Sequence, residues 1–171
     1  GISIERFGAM TGYQHRTIIA GDIKTHFLEA GSGPDLVLLH GGEYGASAEI
    51  TWRANIEALA KRFHVIAPDI LGWGQTDKVY SFSDPAGMRI KHLQRFFETL
   101  GIGKAYFVGN SAGGYIAQNL AMKAPEKVKS LMLFGSTAGL RNSQAASWLP
   151  RIAKDGLRGF FRETIAERLP L

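Results

Sequence analysis

A strand-to-helix turn built around one serine constrains the fold of this chain more than any other feature. An apolar run at residues 105–108 leads directly into the segment Gly109-Asn110-Ser111-Ala112-Gly113, and a helical pattern follows. In a Gly-x-Ser-x-Gly elbow of this kind the backbone turns sharply and lifts the serine hydroxyl clear of the sheet. The serine then sits at a helix N-terminus, where free N–H groups favour negative charge. The context predicts Ser111 as a catalytic nucleophile.

Strand and helix patterns alternate around this elbow. Short apolar runs at residues 36–39, 65–67, 106–108 and 131–134 are typical of strands buried on both faces. Apolar residues at helical spacing lie between them, and residues 17–20 and 24–30, joined by Gly21-Asp22, predict an antiparallel hairpin. We therefore expect an α/β fold whose six-stranded, mostly parallel sheet carries helices on both faces. After about residue 137 the pattern changes, and two helical segments are expected at 143–154 and 157–168.

Composition excludes several function classes. The 171 residues carry a net charge of +5. The whole positive excess lies after residue 122, where the sequence has 9 basic and 4 acidic side chains. These charges are not interleaved with aromatic residues as on a nucleic-acid-binding surface, so we predict no nucleic-acid partner. The excess is better explained by attraction of an anionic small molecule, or by a missing part of the protein that carries the balancing acidic residues. No apolar run is long enough to span a membrane. The absence of cysteine is compatible with a cytoplasmic location, and no spacing indicates a metal or cofactor.

A second motif complements the serine. His40-Gly41-Gly42 follows the strand at 36–39, and such a turn supplies backbone N–H groups to an oxyanion hole, paired with the N–H of the residue after the nucleophile. The predicted donors are Gly42 and Ala112. Structural roles are expected for four histidines and one carboxylate, the latter as an Asx-type turn cap: His26, His40, His64, His92 and Asp69. Trp52 and Trp73 could line a pocket or belong to the core.

Taken together, these motifs resemble the α/β-hydrolase superfamily, and within it the meta-cleavage-product hydrolases, which break carbon–carbon bonds in bacterial aromatic degradation. The resemblance covers roughly residues 17–140 and rests on His40-Gly41-Gly42, the segment at 69–77, the elbow with Asn110 before the serine, the run at 45–53 and the segment at 135–139. Two departures affect the expected substrate pocket: Glu43-Tyr44 stand where the family usually has Gly-Pro, and Thr51 stands where an Asn often precedes the Trp.

The resemblance implies a function. The substrate is a 2-hydroxy-6-oxo-dienoate, which is ketonised and then cleaved by water with help from a Ser-His-Asp triad. Ser111 would be the nucleophile or water activator, with Gly42 and Ala112 holding the oxyanion. Asn110, Gly41 and Trp52 would bind substrate. Residues 1–139 would form the N-terminal part of the hydrolase core, and residues 140–171 the start of a helical cap.

The triad base is missing from this pattern. All five histidines precede Ser111, whereas the family's triad Asp and His follow later strands. We therefore expect a C-terminally truncated chain, whose Asp and His come from a missing segment or a second chain; a homo-oligomer stays open. Two alternatives are kept: a carboxylesterase or lactonase with the same triad, and a ligand-binding homologue that has lost the chemistry.

Overall fold

The computed structural model describes residues 12–136, and its elements alternate as the sequence predicts. The strands are β1 (Gln14–Ala20), β2 (Ile23–Ala30), β3 (Asp35–Leu39), β4 (His64–Pro68), β5 (Ala105–Asn110) and β6 (Val128–Phe134). The helices are α1 (Ala48–Ala60), α2 (Pro85–Leu100) and α3 (Ala112–Lys123), and a 3-10 turn at Pro125–Lys127 precedes β6. The segments expected to be helical at 143–154 and 157–168, and with them the expected cap at 140–171, lie outside the described residues.

The six strands form one mixed sheet in the order β1-β2-β4-β3-β5-β6. β4, β3, β5 and β6 run parallel, while β2 pairs antiparallel with both β1 and β4. The predicted hairpin is confirmed: Ala20 pairs with Ile23 across a two-residue turn, in which Gly21 adopts a φ of 66°. The mostly parallel sheet expected from the sequence is therefore present.

The core lies on both faces of this sheet. Leu36 and Leu38 of β3 belong to a cluster packed against α1, whereas Val37 and Leu39 belong to a second cluster that includes residues of α2 and α3. Successive side chains of a strand point to opposite faces, so a strand covered on both sides must be apolar throughout. This is why the sequence of β3 reads as a continuous apolar run.

The starts of α1 and α2 are fixed by side-chain caps. The Ser47 hydroxyl accepts a hydrogen bond of 3.1 Å from the N–H of Ile50 in α1, and the Asp84 carboxylate accepts one of 2.8 Å from the N–H of Gly87 in α2. Such caps satisfy N–H groups that have no partner within the helix. Because each helix follows a strand of the parallel sheet, these starts lie near the carboxyl edge of the sheet.

β6 differs from the expectation of a strand buried on both faces. Its apolar residues Met132, Leu133 and Phe134 are 56%, 38% and 50% exposed, and Leu131 is only partly buried. This strand ends the strand order, and β5 is its only strand partner within residues 12–136. The continuous apolar run predicted the strand correctly but not its burial.

Candidate active site

Ser111 lies alone between a strand and a helix. β5 ends at Asn110 and α3 begins at Ala112, so the whole reversal is made at one residue, with φ 50° and ψ −115°. Within residues 12–136, Ser111 is the only non-glycine residue with positive φ, a conformation that side chains disfavour. Its N–H donates a 2.8 Å hydrogen bond to the carbonyl of Phe134, and its side chain is exposed. The predicted elbow is therefore present.

The glycines around the serine let three backbone segments approach one another. A Cβ on Gly109 would lie 2.5 Å from the Cα of Gly114, and a Cβ on Gly113 would collide with the carbonyl oxygens of Leu39 and His40. These contacts are to backbone atoms, which cannot move aside as a flexible side chain would. The Gly-x-Ser-x-Gly spacing is thus a packing requirement of the turn.

The two predicted oxyanion donors are brought together. A Cβ placed on Gly42 would lie 3.0 Å from the Cβ of Ala112, so the loop after β3 touches the first turn of α3. As the first residue of α3, Ala112 has a backbone N–H without an acceptor inside the helix. The same Gly42 position lies 3.5 Å from Cζ2 of Trp73, so the indole lies beside Gly42.

His40 supports this loop from beneath. It is fully buried, its Nδ1–H donates to the carbonyl of Gly41 at 2.6 Å, and its Nε2 accepts from the N–H of Ile70 at 2.9 Å. Burial lowers the pKa of His40, against the opposing effects of the Gly41 hydrogen bond and the charges of Asp69 and Glu43. The side chain ties the end of β3 to the end of β4, which is the structural role that was expected.

Asp69 is a second buried anchor at the end of β4. Its carboxylate accepts hydrogen bonds from the N–H groups of Ala48 at 2.7 Å and Gln75 at 2.8 Å, and from Nδ1 of His26 at 2.8 Å. Burial alone would raise the pKa of Asp69, but the hydrogen bonds from His26, Gln75 and Ala48 together lower it. The expected structural role is confirmed, although its partners lie much farther along the chain than those of an Asx turn.

None of the five histidines forms a hydrogen bond with Ser111. His15 lies against His26 at 3.0 Å, and His64 bonds to Asp35 and Glu29 at 2.8 and 3.0 Å. His92 Nε2 bonds to the Thr25 hydroxyl at 2.8 Å, and His26 and His40 have the structural partners given above. A serine without a base keeps the pKa of an alcohol and is a weak nucleophile.

The pKa values of two of these histidines move in opposite directions. For His64, burial would lower the pKa, but hydrogen bonds to Asp35 and Glu29 raise it overall. For His92, burial first and the charge of Arg95 second lower the pKa to about 4.

The three residues predicted to bind substrate occupy different places. Gly41 is buried in the loop that follows β3, and Asn110 is half-buried directly before Ser111. Trp52 of α1 is 8% exposed and belongs to the core cluster that joins this helix to the sheet, so its position favours a packing role. Its indole Nε1 has no hydrogen-bond partner among the described residues. Substrate binding by these residues stays a prediction.

Two neighbours of the site were not assigned a role from sequence. Arg89 of α2 stacks on Trp73 at 4.4 Å and reaches the ring of Tyr80 at 5.7 Å. Glu43 lies with its carboxylate in contact with the position that a Cβ on Gly41 would occupy. The contact of Arg89 with Trp73 joins residues distant in sequence, so no local pattern could predict it. Glu43 was noticed in the sequence only because it stands where the resembled family usually has another residue.

Comparisons with known proteins agree with this geometry. The alpha/beta hydrolase fold family matches residues 34–170. The chain is 40% identical over 131 residues to the 2-hydroxy-6-oxo-6-(2'-aminophenyl)hexa-2,4-dienoic acid hydrolase of Metapseudomonas resinovorans, covering 76% of the chain and 44% of that protein. It is 39% identical over 121 residues to the 2-hydroxymuconate semialdehyde hydrolase of a Pseudomonas species, covering 71% and 43%.

Solved structures give the same result. A serine hydrolase involved in carbazole degradation superposes with a TM-score of 0.71 at 40% identity, covering 76% of this chain and 50% of that one. A 2-hydroxy-6-oxo-6-phenylhexa-2,4-dienoate hydrolase from a Rhodococcus species has a TM-score of 0.68 at 36% identity, covering 72% and 46%. The chain thus spans less than half the length of the two curated relatives described above.

Proposed function

The chain belongs to the alpha/beta hydrolase fold family, and on that premise we propose that it is the serine-bearing part of a hydrolase that cleaves a carbon–carbon bond of a 2-hydroxy-6-oxo-dienoate. One observation carries the proposal: Ser111 stands in a positive-φ elbow, and the Cβ position of Gly42 lies 3.0 Å from Ala112. The similar proteins described above are named as hydrolases of such dienoates or of 2-hydroxymuconate semialdehyde, which supports the substrate class.

The proposed roles follow from where charge develops. Attack on the 6-oxo carbon, by Ser111 or by a water that it helps to activate, turns the carbonyl oxygen into an oxyanion. The N–H groups of Gly42 and Ala112 would stabilise that charge, an effect of several kcal/mol in comparable sites (about 3 kcal/mol per donor). The substrate is first ketonised, so that C5 becomes a CH2 group and C2 a ketone. The oxygen of water then ends on the carbonyl carbon C6, the electron pair of the broken C5–C6 bond is delocalised onto the 2-oxo group as a dienolate, and the remaining proton of water protonates that dienolate. Gly41, Asn110 and Trp52 would bind the substrate's other groups.

The base belongs to the same proposal. Because the described histidines hold other partners, we propose that the His and Asp which activate Ser111 come from a further segment or from a second chain. We also propose that residues 1–139 form the first part of the core and that residues 140–171 begin a cap. None of the helices within residues 12–136 is long and apolar enough to cross a membrane. We propose a cytoplasmic enzyme on the sequence argument from the absent cysteines.

Labelling and turnover test this function together. In the full-length protein, with the segment or second chain that carries the His and Asp present, a fluorophosphonate probe should modify Ser111 and leave the Ser111→Ala variant unmodified, as read by intact-mass measurement. A dienoate and a p-nitrophenyl ester are then assayed side by side. Turnover of the ester alone would favour the esterase or lactonase alternative. Failure of both labelling and turnover, with dienoate binding retained, would favour a ligand-binding homologue.

A further inference from the structure

An acidic side chain stands on the loop that forms the oxyanion hole. Glu43 follows Gly42 directly, and an added Cβ on Gly41 would collide with its Oε2 and lie 3.2 Å from its Oε1. The backbone of the loop is closed by a 3.1 Å hydrogen bond from the N–H of Ala46 to the carbonyl of Glu43. The carboxylate is therefore held against the residue next to Gly42 and moves with the loop that carries this oxyanion donor.

Among the described residues, no basic side chain neutralises the charge of Glu43. Within residues 12–136 no Lys, Arg or His forms an ion pair with it, and the residue is exposed. Its negative charge acts on His40, one residue before Gly41. An unpaired charge at the mouth of a site changes the local concentration and binding of charged ligands over several ångströms.

A reacting carbonyl on Gly42 and Ala112 places the two ends of a dienoate at different distances from Glu43. A hydrolase of Burkholderia vietnamiensis that is 36% identical to this chain over 120 residues is named for 2-hydroxy-6-oxononadienedioate. In that compound the second carboxylate is separated from the ketone by two carbons. The dienoate carboxylate is separated from it by four. The second carboxylate is therefore the one held closer to the oxyanion loop, and it meets the greater repulsion.

We propose that Glu43 is a specificity-determining residue, which selects substrates whose group on the ketone side is uncharged or donates hydrogen bonds and disfavours those with a second carboxylate there. The inference rests on the proposed function and refines its substrate class from dienoates in general to monocarboxylate dienoates. A phenyl or aminophenyl ketone fits this preference, and a dicarboxylate does not.

Equilibrium binding tests the inference without requiring turnover. The Ser111→Ala protein is titrated with 2-hydroxy-6-oxo-6-phenylhexa-2,4-dienoate and with 2-hydroxy-6-oxononadienedioate, and binding is followed by tryptophan fluorescence, since Trp73 lies beside Gly42. The same titrations are made with Glu43→Gln added. Glu98→Gln is the matched control, because it removes the same charge from the exposed last turn of α2, whose C-terminal end leads to the opposite edge of the sheet.

Glu43→Gln should lower the Kd of the dicarboxylate by about threefold to tenfold, the range expected for two unit charges about 7 Å apart in a hydrated site. The Kd of the phenyl compound should change by less than about twofold, and the effect on the dicarboxylate should shrink in high salt. Glu98→Gln should change neither. Equal changes for both ligands, or none, would overturn the inference and leave the proposed function standing. If neither compound binds any variant, the proposed function fails and the inference falls with it.

Discussion

Replacing Ser111 by glycine should make the protein more stable than replacing it by alanine. At φ 50° and ψ −115° any residue with a Cβ is strained, and such conformations carry about 1–3 kcal/mol. Glycine adopts positive φ without this strain but loses about 0.5–1 kcal/mol through the greater freedom of its unfolded chain. The midpoints of these two ranges leave Ser111→Gly about 1 kcal/mol more stable than Ser111→Ala.

Urea unfolding measures this difference directly, because neither variant retains the hydroxyl and both remove the same polar atom. The free energies of unfolding are compared at equal m-values, so that only native-state stability differs. Ser130 provides the control: it is exposed in β6 and has no positive φ, so alanine should be the more stable replacement there.

The decisive result is the order of stability at each position: glycine should be the more stable replacement at Ser111, and alanine the more stable replacement at Ser130. If Ser111→Gly is equal to or less stable than Ser111→Ala, the elbow does not hold Ser111 in the strained conformation, and the reasoning from backbone geometry to nucleophile is refuted.

Three further expectations concern packing and pH. Gly113→Ala should lower the free energy of unfolding by about 2 kcal/mol or more, because its Cβ meets backbone oxygens, whereas Gly103→Ala, with open space around it, should change it by less than about 0.5 kcal/mol. His92 has its pKa lowered to about 4, so its contribution is present above pH 6.5 and is lost as the pH falls toward 4; up to about 3 kcal/mol should disappear, and urea titrations of His92→Gln should show a shallower pH slope. Asp69→Asn should destabilise by about 3 kcal/mol in the same assay, since an amide cannot accept from all three of its donors.

Local features of the fold could be predicted from the sequence because their causes are local. The elbow, the hairpin turn at Gly21-Asp22 and the ends of α2 each depend on residues within a few positions of one another. The pairing of Gly42 with Ala112 was also predictable, since parallel strands place the loops after them at one edge of the sheet.

Long-range contacts and burial could not be predicted in the same way. Asp69 receives hydrogen bonds from residues 43 and 21 positions earlier, and no spacing rule joins them. Trp52 is an aromatic residue of the kind that often lines pockets, but its position in the apolar spacing of α1 places it in the core. The exposed apolar residues of β6 show the limit of pattern reasoning most directly: an apolar run specifies a strand, but its burial depends on what the rest of the fold places over it.

The proposed chemistry has two requirements, a pair of oxyanion donors and an activating base. The described residues place candidates for the first but not for the second. The loop after β3, residues 40–46, which is proposed to hold the oxyanion, is fixed by contacts within this chain. His40 is bonded to Ile70, Trp73 packs beside Gly42, and Asp69 anchors the segment that carries both Ile70 and Trp73. The activating base has no counterpart among the five histidines. Preorganised donors need a rigid frame, whereas a base needs only to reach the serine from any neighbouring element. Disturbing Asp69 should therefore impair the site without touching Ser111, because it loosens the frame that places Gly42 against Ala112.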